Sequence, residues 1–260
     1  RFSGDTLDIG YDPVTREVVD MHAKGNIALS EGDRLMTCGK MDYSVVTGAV
    51  EMTENHVMWQ GNSQLRAERF IYNEIEKLLK MMDHVDGVVM IESDDSDWLP
   101  TDEDGMNTEE TQPRNLPPDG SPDPADRYLY LSAGNGTYNE VTGDIQFQDK
   151  VVMRRSQWTI HSESLQIRLN PQTGRMISAD ALGAVHVVHP MFDAKGHSLT
   201  YQPETSILVL RGTGTQKCLV TQGERGSQGD EVRFFIRENR FEIDKGISMI
   251  MPSEISGTLR

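Results

Sequence analysis

The sequence predicts an all-β protein built from repeated antiparallel strands. Apolar and polar residues alternate over short runs, as at Leu165, Ile167 and Leu169, so that one face of each strand is buried and the other is exposed to solvent. Gly, Asn and Asp interrupt these runs roughly every eight to twelve residues, which is typical of all-β proteins. A step in which a large apolar residue precedes a polar turn also recurs along the chain.

This recurring step shows that the chain contains an internal sequence repeat. It falls at Tyr11, Tyr43, Tyr72, Tyr138, Leu169, Tyr201 and Phe235, with spacings of 32, 29, 66, 31, 32 and 34 residues. The long interval shortens to 31 residues when the 35 residues from Glu92 to Asp126 are left out. The repeat therefore predicts stacked β-hairpin units, each covering the apolar face of its neighbour, with one unit interrupted by an insertion.

Each unit contains the same elements in the same order. A strand ends at the large apolar residue, and a polar turn such as residues 12–17 (DPVTRE) follows. A second strand then reaches a Gly or Asn step such as residues 23–27 (AKGNI), and a short Gly turn such as residues 30–33 leads to the next strand. Residues 71–82 have helical spacing, but the neighbouring repeats favour a strand and turn there.

The insertion, from Glu92 to Asp126, has a composition of its own. It holds twelve acidic residues, one basic residue (Arg114) and six of the eleven prolines, so it cannot form a strand ladder or bury a core. We expect it to be solvated. The sequence thus predicts repeats over residues 1–91, an acidic, Pro-rich insertion or loop over residues 92–127, and further repeats over residues 128–260 that continue the first set.

Charge and cysteine content exclude several kinds of protein. The net charge is −16, of which −11 lies between Glu92 and Asp126, so nucleic-acid and anionic-membrane partners are disfavoured. Cys38 and Cys218 lie far apart, which suggests neither a zinc site nor a disulfide framework and leaves a single long-range disulfide open. The chain has no long apolar run and opens at Arg1 without a leader, so we expect a soluble piece, either a mature form or an excised part of a longer protein, from which a leader or anchor was removed.

No catalytic or metal-binding motif emerges. His186, His189 and His197 are close in sequence, but His186 and His189 would point to opposite faces of a strand. The acidic run around Gly105 fails as a calcium loop because Pro100 and Thr111 occupy positions that need Asp and Glu. We therefore predict no catalytic residues, no metal and no cofactor, and a protein that is not an enzyme.

Three segments carry a family resemblance: residues 23–52 (AKGNIALSEGDRLMTCGKMDYSVVTGAVEM), 131–153 (LSAGNGTYNEVTGDIQFQDKVVM) and 181–212 (ALGAVHVVHPMFDAKGHSLTYQPETSILVLRG). They share an A-x-G-N-like step, a Gly turn and a Tyr step before a T-G-x-[IV]-like strand. With these motifs the sequence resembles the OstA-like family of lipopolysaccharide-transport proteins, which includes LptA, LptC and the N-terminal domain of LptD. The resemblance implies an open, twisted, two-sheet β-jellyroll with one continuous apolar groove.

The resemblance also implies a function. It implies a noncatalytic protein of the periplasm, or one associated with a membrane through a removed anchor or partners, that binds the acyl chains of lipopolysaccharide or another acylated lipid. Terminal strand edges would pair with other OstA-like modules or with a second copy of the chain. The candidate groove-lining residues are Val57, Trp59, Leu65, Val151, Met153, Trp158 and Ile160. The alternatives are a structural or adhesive cell-envelope β-solenoid without lipid cargo and a polysaccharide-processing β-helix enzyme.

Overall fold

The computed structural model describes residues 1–250 except for 33, 61–62, 91–127, 156, 173–175, 203, 206, 236–239 and 245–246. Within these residues there are 22 strands, all paired antiparallel, and no helix long and apolar enough to cross a membrane. The predicted all-β antiparallel class is therefore confirmed. The strands are β1 (Phe2–Ser3), β2 (Thr6–Tyr11), β3 (Val18–Glu31), β4 (Arg34–Ser44), β5 (Ala49–Thr53), β6 (Val57–Gln60), β7 (Ser63–Arg66), β8 (Arg69–Asn73), β9 (Leu78–Met82), β10 (Val85–Met90), β11 (Tyr128–Ala133), β12 (Asn135–Asn139), β13 (Asp144–Arg155), β14 (Trp158–Leu169), β15 (Met176–His189), β16 (Phe192–Gln202), β17 (Ile207–Arg211), β18 (Cys218–Gln222), β19 (Arg225–Gly229), β20 (Glu231–Phe235), β21 (Arg240–Asp244) and β22 (Ile247–Ile250).

Strand pairing divides the sheet into two walls, which we call wall A and wall B. Wall A pairs, in order, β2, the first half of β3, the second half of β4, β5, β8, β9, β12, the first half of β13, the second half of β14, the first half of β15, the second half of β16, β17, β20 and β21. Wall B pairs β1, the remaining halves of β3 and β4, β6, β7, β10, β11, the remaining halves of β13 to β16, β18, β19 and β22. Long strands that pass from one wall to the other join the two walls along one side.

Pairs of left-handed residues bend the chain from wall A into wall B. Gly25 and Asn26 have φ values of 74° and 46°, and Gly183 and Ala184 have 79° and 46°. The strand register shifts at both places, so the ladder is interrupted where the strand turns. The Gly-Asn step of the sequence repeat is therefore a bend between walls. Further pairs of this kind are Glu54 with Asn55, Asp83 with His84, and Asp149 with Lys150.

The turns of wall A follow the recurring step of the sequence. At Asp12, Oδ1 accepts hydrogen bonds from the backbone N–H groups of Val14 and Thr15, at 2.7 and 2.8 Å. Asn73 and Asn139 accept equivalent bonds from the residues two and three positions later. Asp or Asn follows the aromatic residue because its short side chain can accept hydrogen bonds from the backbone N–H groups of its own turn. The strand and turn predicted over residues 71–82 are confirmed as β8 and β9.

The acidic insertion falls within one connection of wall B. Strands β10 and β11 pair directly, from Val85 with Ala133 to Met90 with Tyr128. Residues 91–127 join them and lie outside the described residues, whereas the connections between β15 and β16 and between β18 and β19 are two residues long. The antiparallel pairing therefore runs from β7 through β10 and β11 to β13. The boundaries at residues 91 and 128 stay a prediction.

Candidate functional site

The two walls enclose a single apolar interior. Alternate residues of each strand point inward, and their buried side chains form one cluster that runs from Ala23 and Ile27 near the N-terminus to Val232 and Phe234 in β20. Both walls contribute, because Phe70 and Leu199 belong to wall A, whereas Ile27 and Val187 belong to wall B. The alternation read from the sequence thus produces a continuous core between the walls.

Five of the seven predicted lining residues point into this interior. Val151, Met153, Trp158 and Ile160 lie on β13 and β14 of wall B and are at most 4% exposed. Leu65 on β7 is half-buried and packs against the same cluster. The prediction that these residues contact lipid remains a prediction.

Val57 and Trp59 lie on the outer face of wall B. Their cross-strand partners are Thr37 and Leu35, whereas Met58 between them faces Met36, which packs on the core. Directly paired residues project from the same face of a sheet, so Val57 and Trp59 face away from the interior. Because Val57, Met58 and Trp59 are all apolar, hydrophobicity alone could not identify the inner face of β6.

The interior is more accessible in its first part than in its second. Along β3 to β10, inward side chains near the turns are only half-buried on both walls: Leu29, Met36, Met58, Leu65 and Val89 on wall B, and Val50 and Tyr72 on wall A. From β11 onward the equivalent wall-B residues, including Leu129, Val187 and Phe192, are buried. We call the half-buried inward side chains of the first part the apolar groove. In the second part the interior is closed along wall B, whereas Tyr138, Ile145 and Leu169 of wall A stay half-buried. Methionine supplies Met36 and Met58 of the groove lining, and its flexible side chain adapts to irregular apolar shapes.

A cluster of aromatic rings bridges the two walls in the second part. Phe192 of wall B stacks on Phe234 of wall A, with ring centroids 5.2 Å apart, and lies 6.0 Å from Phe241 of wall A. Trp158 of wall B makes edge contacts with Phe192 at 5.3 Å and Phe234 at 6.4 Å. We call these four residues the aromatic bridge. It holds the walls together where the interior is closed, and each such pair adds about 0.5–1.5 kcal/mol beyond area burial.

Several polar groups are buried in or beside the interior. Both ring nitrogens of His56 lack a hydrogen-bond partner among the described residues, and the ring packs edge-on against Phe70 at 4.5 Å. Burial lowers the pKa of His56, so its neutral form is favoured. Trp158 Nε1 and Ser162 Oγ are likewise buried without a partner in the described part of the chain.

The predicted opposite orientation of His186 and His189 is confirmed. His186 pairs with Asp193 at 2.5 Å and is half-buried, while His189 is buried with its ring 4.7 Å from Trp158. Among the described residues, no three His, Cys, Asp or Glu side chains are close enough to hold a metal ion. Cys38 and Cys218 are free and buried, and desolvation raises the pKa of each thiol to about 11.

The terminal strands of wall A have unpaired edges within the described residues. β2 pairs with β3, and its exposed apolar side chains include Leu7, Ile9 and Tyr11. Leu7 and Ile9 lie opposite the inward residues Ala23 and Met21, so they extend the inner face to the edge. At the other end, Phe241 and Ile243 of β21 pack against the core. Apolar inner faces therefore reach both ends of wall A.

Comparison with known proteins gives two positive findings. Residues 130–240 match the family model described as "LptA/(LptD N-terminal domain) LPS transport protein". A solved structure, LptH, the LptA homologous periplasmic component of the conserved lipopolysaccharide transport device from Pseudomonas aeruginosa, is similar at 13% identity with a TM-score of 0.42. The similarity covers 50% of this chain and 100% of that one. No curated protein matches the chain.

Proposed function

We propose that this chain is a noncatalytic lipid carrier of the periplasm, because residues 130–240 match the LptA/LptD N-terminal family model of lipopolysaccharide transport proteins. The observation that carries the proposal is the half-buried apolar lining between the walls along β3 to β10. Acyl chains need such a surface and no charged catalytic group. Each buried methylene contributes about 0.8 kcal/mol, so one twelve-carbon chain gains on the order of 10 kcal/mol before entropy is counted.

The cargo would lie between the walls with its head group in water. Leu29, Met36, Met58 and Leu65 of wall B and Tyr72 of wall A would contact the acyl chains in the first part. In the second part Val151, Met153, Trp158 and Ile160 are fully covered by protein, so lipid contact there requires the walls to separate. The open first part is thus the proposed binding region.

Edge-to-edge association with other modules of this kind is the second part of the proposal. Wall A has fourteen strand segments in the described residues, and an even number makes β2 and β21 run in opposite directions. A second module placed head to tail would therefore set its β2 antiparallel to β21, continuing the ladder. Leu7 and Ile9 of one module would adjoin Phe241 and Ile243 of the next, so the apolar interior would continue across the junction.

Site-specific photocrosslinking tests lipid binding without altering the core. A benzophenone amino acid is placed at Leu65, on the inner face of β7, and in a matched variant at the neighbouring Gln64, which faces outward. Purified protein is mixed with lipopolysaccharide, irradiated and analysed for the adduct. We expect strong crosslinking from position 65 and little from position 64. Equal or absent crosslinking from both positions, in folded protein, would contradict the proposal.

The closed second part favours one alternative, a structural β-solenoid of the cell envelope without cargo. Its interior is filled by side chains such as Leu165, Leu199 and Leu210, each at most 3% exposed. If the whole chain served that role, position 65 would give no lipid adduct. Substituting Leu7 and Ile9 with Lys would still weaken association of modules, because charged side chains disfavour pairing at a strand edge.

A further inference from the structure

A second surface lies on the outer face of wall B, away from the lipid groove. A depression of about 490 Å³ is lined there by residues that include Gln64, Arg66, Val88, Tyr130, Val152 and Arg154. Tyr130 is 49% exposed, and Trp59 adjoins the depression as the cross-strand partner of Gln64. Two arginines and two aromatic rings therefore share one open face of the sheet.

Neither arginine of this depression makes a close ion pair in the described part of the chain. Arg66 lies opposite Asp86 across the strands, but Asp86 pairs instead with His84 at 2.8 Å. Arg154 lies opposite Tyr130 on one side and Thr159 on the other. Asp86 also lines the depression, so its two arginines and one carboxylate leave a net positive charge on a protein whose net charge is −16.

The acidic insertion joins the wall at the same place. The chain leaves β10 at Met90 and returns to β11 at Tyr128, and the lining residues Val88 and Tyr130 are register partners two positions further into those strands. The residues between, from Glu92 to Asp126, carry twelve acidic groups and one basic group. They also include Trp98 and Leu99, which are apolar residues of the kind that pack on exposed aromatic rings.

We propose that this depression is a docking site for the acidic insertion of the same chain, residues 92–126. Opposite charge provides the attraction, and Arg66 and Arg154 supply donors that match carboxylate geometry. Tethering at both ends sets an effective concentration on the order of millimolar, so a weak intrinsic affinity suffices to keep the site occupied. The insertion thereby covers the outer face of wall B beside the groove.

Protease sensitivity of the full-length chain tests this contact. A protease that cuts after acidic residues should cleave the insertion of an Arg66→Glu or Arg154→Glu variant at least threefold faster than that of the unaltered protein. Lys195→Glu is the matched control, because Lys195 is exposed on the outer face of wall B three strands away from Arg154. At about 0.5 M NaCl the difference should vanish, since surface attractions are screened. Equal cleavage of all variants at low salt would overturn the proposal.

A peptide experiment identifies the docking surface independently. In one variant a two-residue Asn-Gly turn replaces residues 91–127, matching the length of other wall-B connections, and circular dichroism verifies folding. A labelled peptide of residues 92–126 should bind this variant saturably, and Arg66→Glu with Arg154→Glu should weaken binding at least tenfold. Absence of binding, or binding unaffected by the arginine substitutions, would refute the assignment. Neither experiment contains lipid, so their outcome is separate from that of the transport proposal.

Discussion

Removing one ring of the aromatic bridge should cost far more stability than removing its neighbour in sequence. Phe234 is 3% exposed and contacts Phe192, Phe241 and Trp158, with ring centroids between 5.2 and 6.4 Å away. Phe234→Ala leaves a cavity between the walls, for which Phe-to-Ala substitutions in packed cores cost about 3–5 kcal/mol. Trp158, Phe192 and Phe241 each lie in a paired strand, which limits how far they can move to fill the cavity.

Phe235 supplies the matched control on the same strand. It points to the opposite face, is half-buried, and has the Arg240 guanidinium 3.7 Å from its ring centre. Phe235→Ala removes a cation–π contact of about 0.5–1 kcal/mol and some partly exposed surface. We therefore expect the free energy of unfolding of Phe234→Ala to lie about 2–4 kcal/mol below that of Phe235→Ala.

Urea unfolding, followed by circular dichroism and by the binding of an apolar fluorescent dye, measures both effects. Phe234→Ala should unfold at lower urea, and in native conditions should bind more dye, because the walls are less tightly joined. Phe235→Ala should behave nearly as the unaltered protein in both respects. Equal destabilisation of the two variants would refute the assignment of inner and outer faces in β20 and the role given to the bridge.

Three further predictions concern single residues. Burial lowers the pKa of His56, so the unfolded chain binds a proton at this residue more readily than the folded chain. The free energy of unfolding should therefore fall as the pH drops below about 6.5. His56→Leu should reduce this fall when unfolding is measured between pH 7 and pH 5. The buried thiols of Cys38 and Cys218, with pKa values raised to about 11, should resist a thiol reagent at pH 7.5 until denaturant is added, and rapid labelling of native protein would contradict their burial. Gly143→Ala should lower the melting temperature more than Gly223→Ala. Both glycines have positive φ, but a Cβ at Gly143 would lie 2.3 Å from the Leu169 carbonyl oxygen, whereas a Cβ at Gly223 would meet open space. Equal melting temperatures would show that the wall-A turn can shift to accommodate the Cβ.

The turns were predictable from the sequence because their chemistry is local. Asp12, Asn73 and Asn139 each close a turn with their own side chain, so residue type and spacing were enough to locate the turns of wall A. The repeat spacing likewise indicated that one connection carries an insertion. These features depend on residues within a few positions of one another.

The inner face of each strand was harder to predict because it depends on the bends. Bends from wall A to wall B keep the alternation in phase, as between Ala23 and Ile27 on β3. Bends in the opposite direction shift it by one residue, as between Cys38 and Met41 on β4. A one-residue shift exchanges the two faces of a strand. Where both faces are apolar, as at Val57, Met58 and Trp59, the sequence does not reveal which side faces the interior.

The paired organisation of the walls means that the length of the interior changes in fixed steps when repeats are added or lost. Each repeat of about 31 residues contributes two segments to each wall, and neighbouring strands are about 4.8 Å apart, so one added repeat lengthens the interior by about 10 Å. The number of segments stays even whatever the number of repeats. Duplication or loss of a repeat would therefore alter the distance spanned while leaving the end strands antiparallel and able to join the next module.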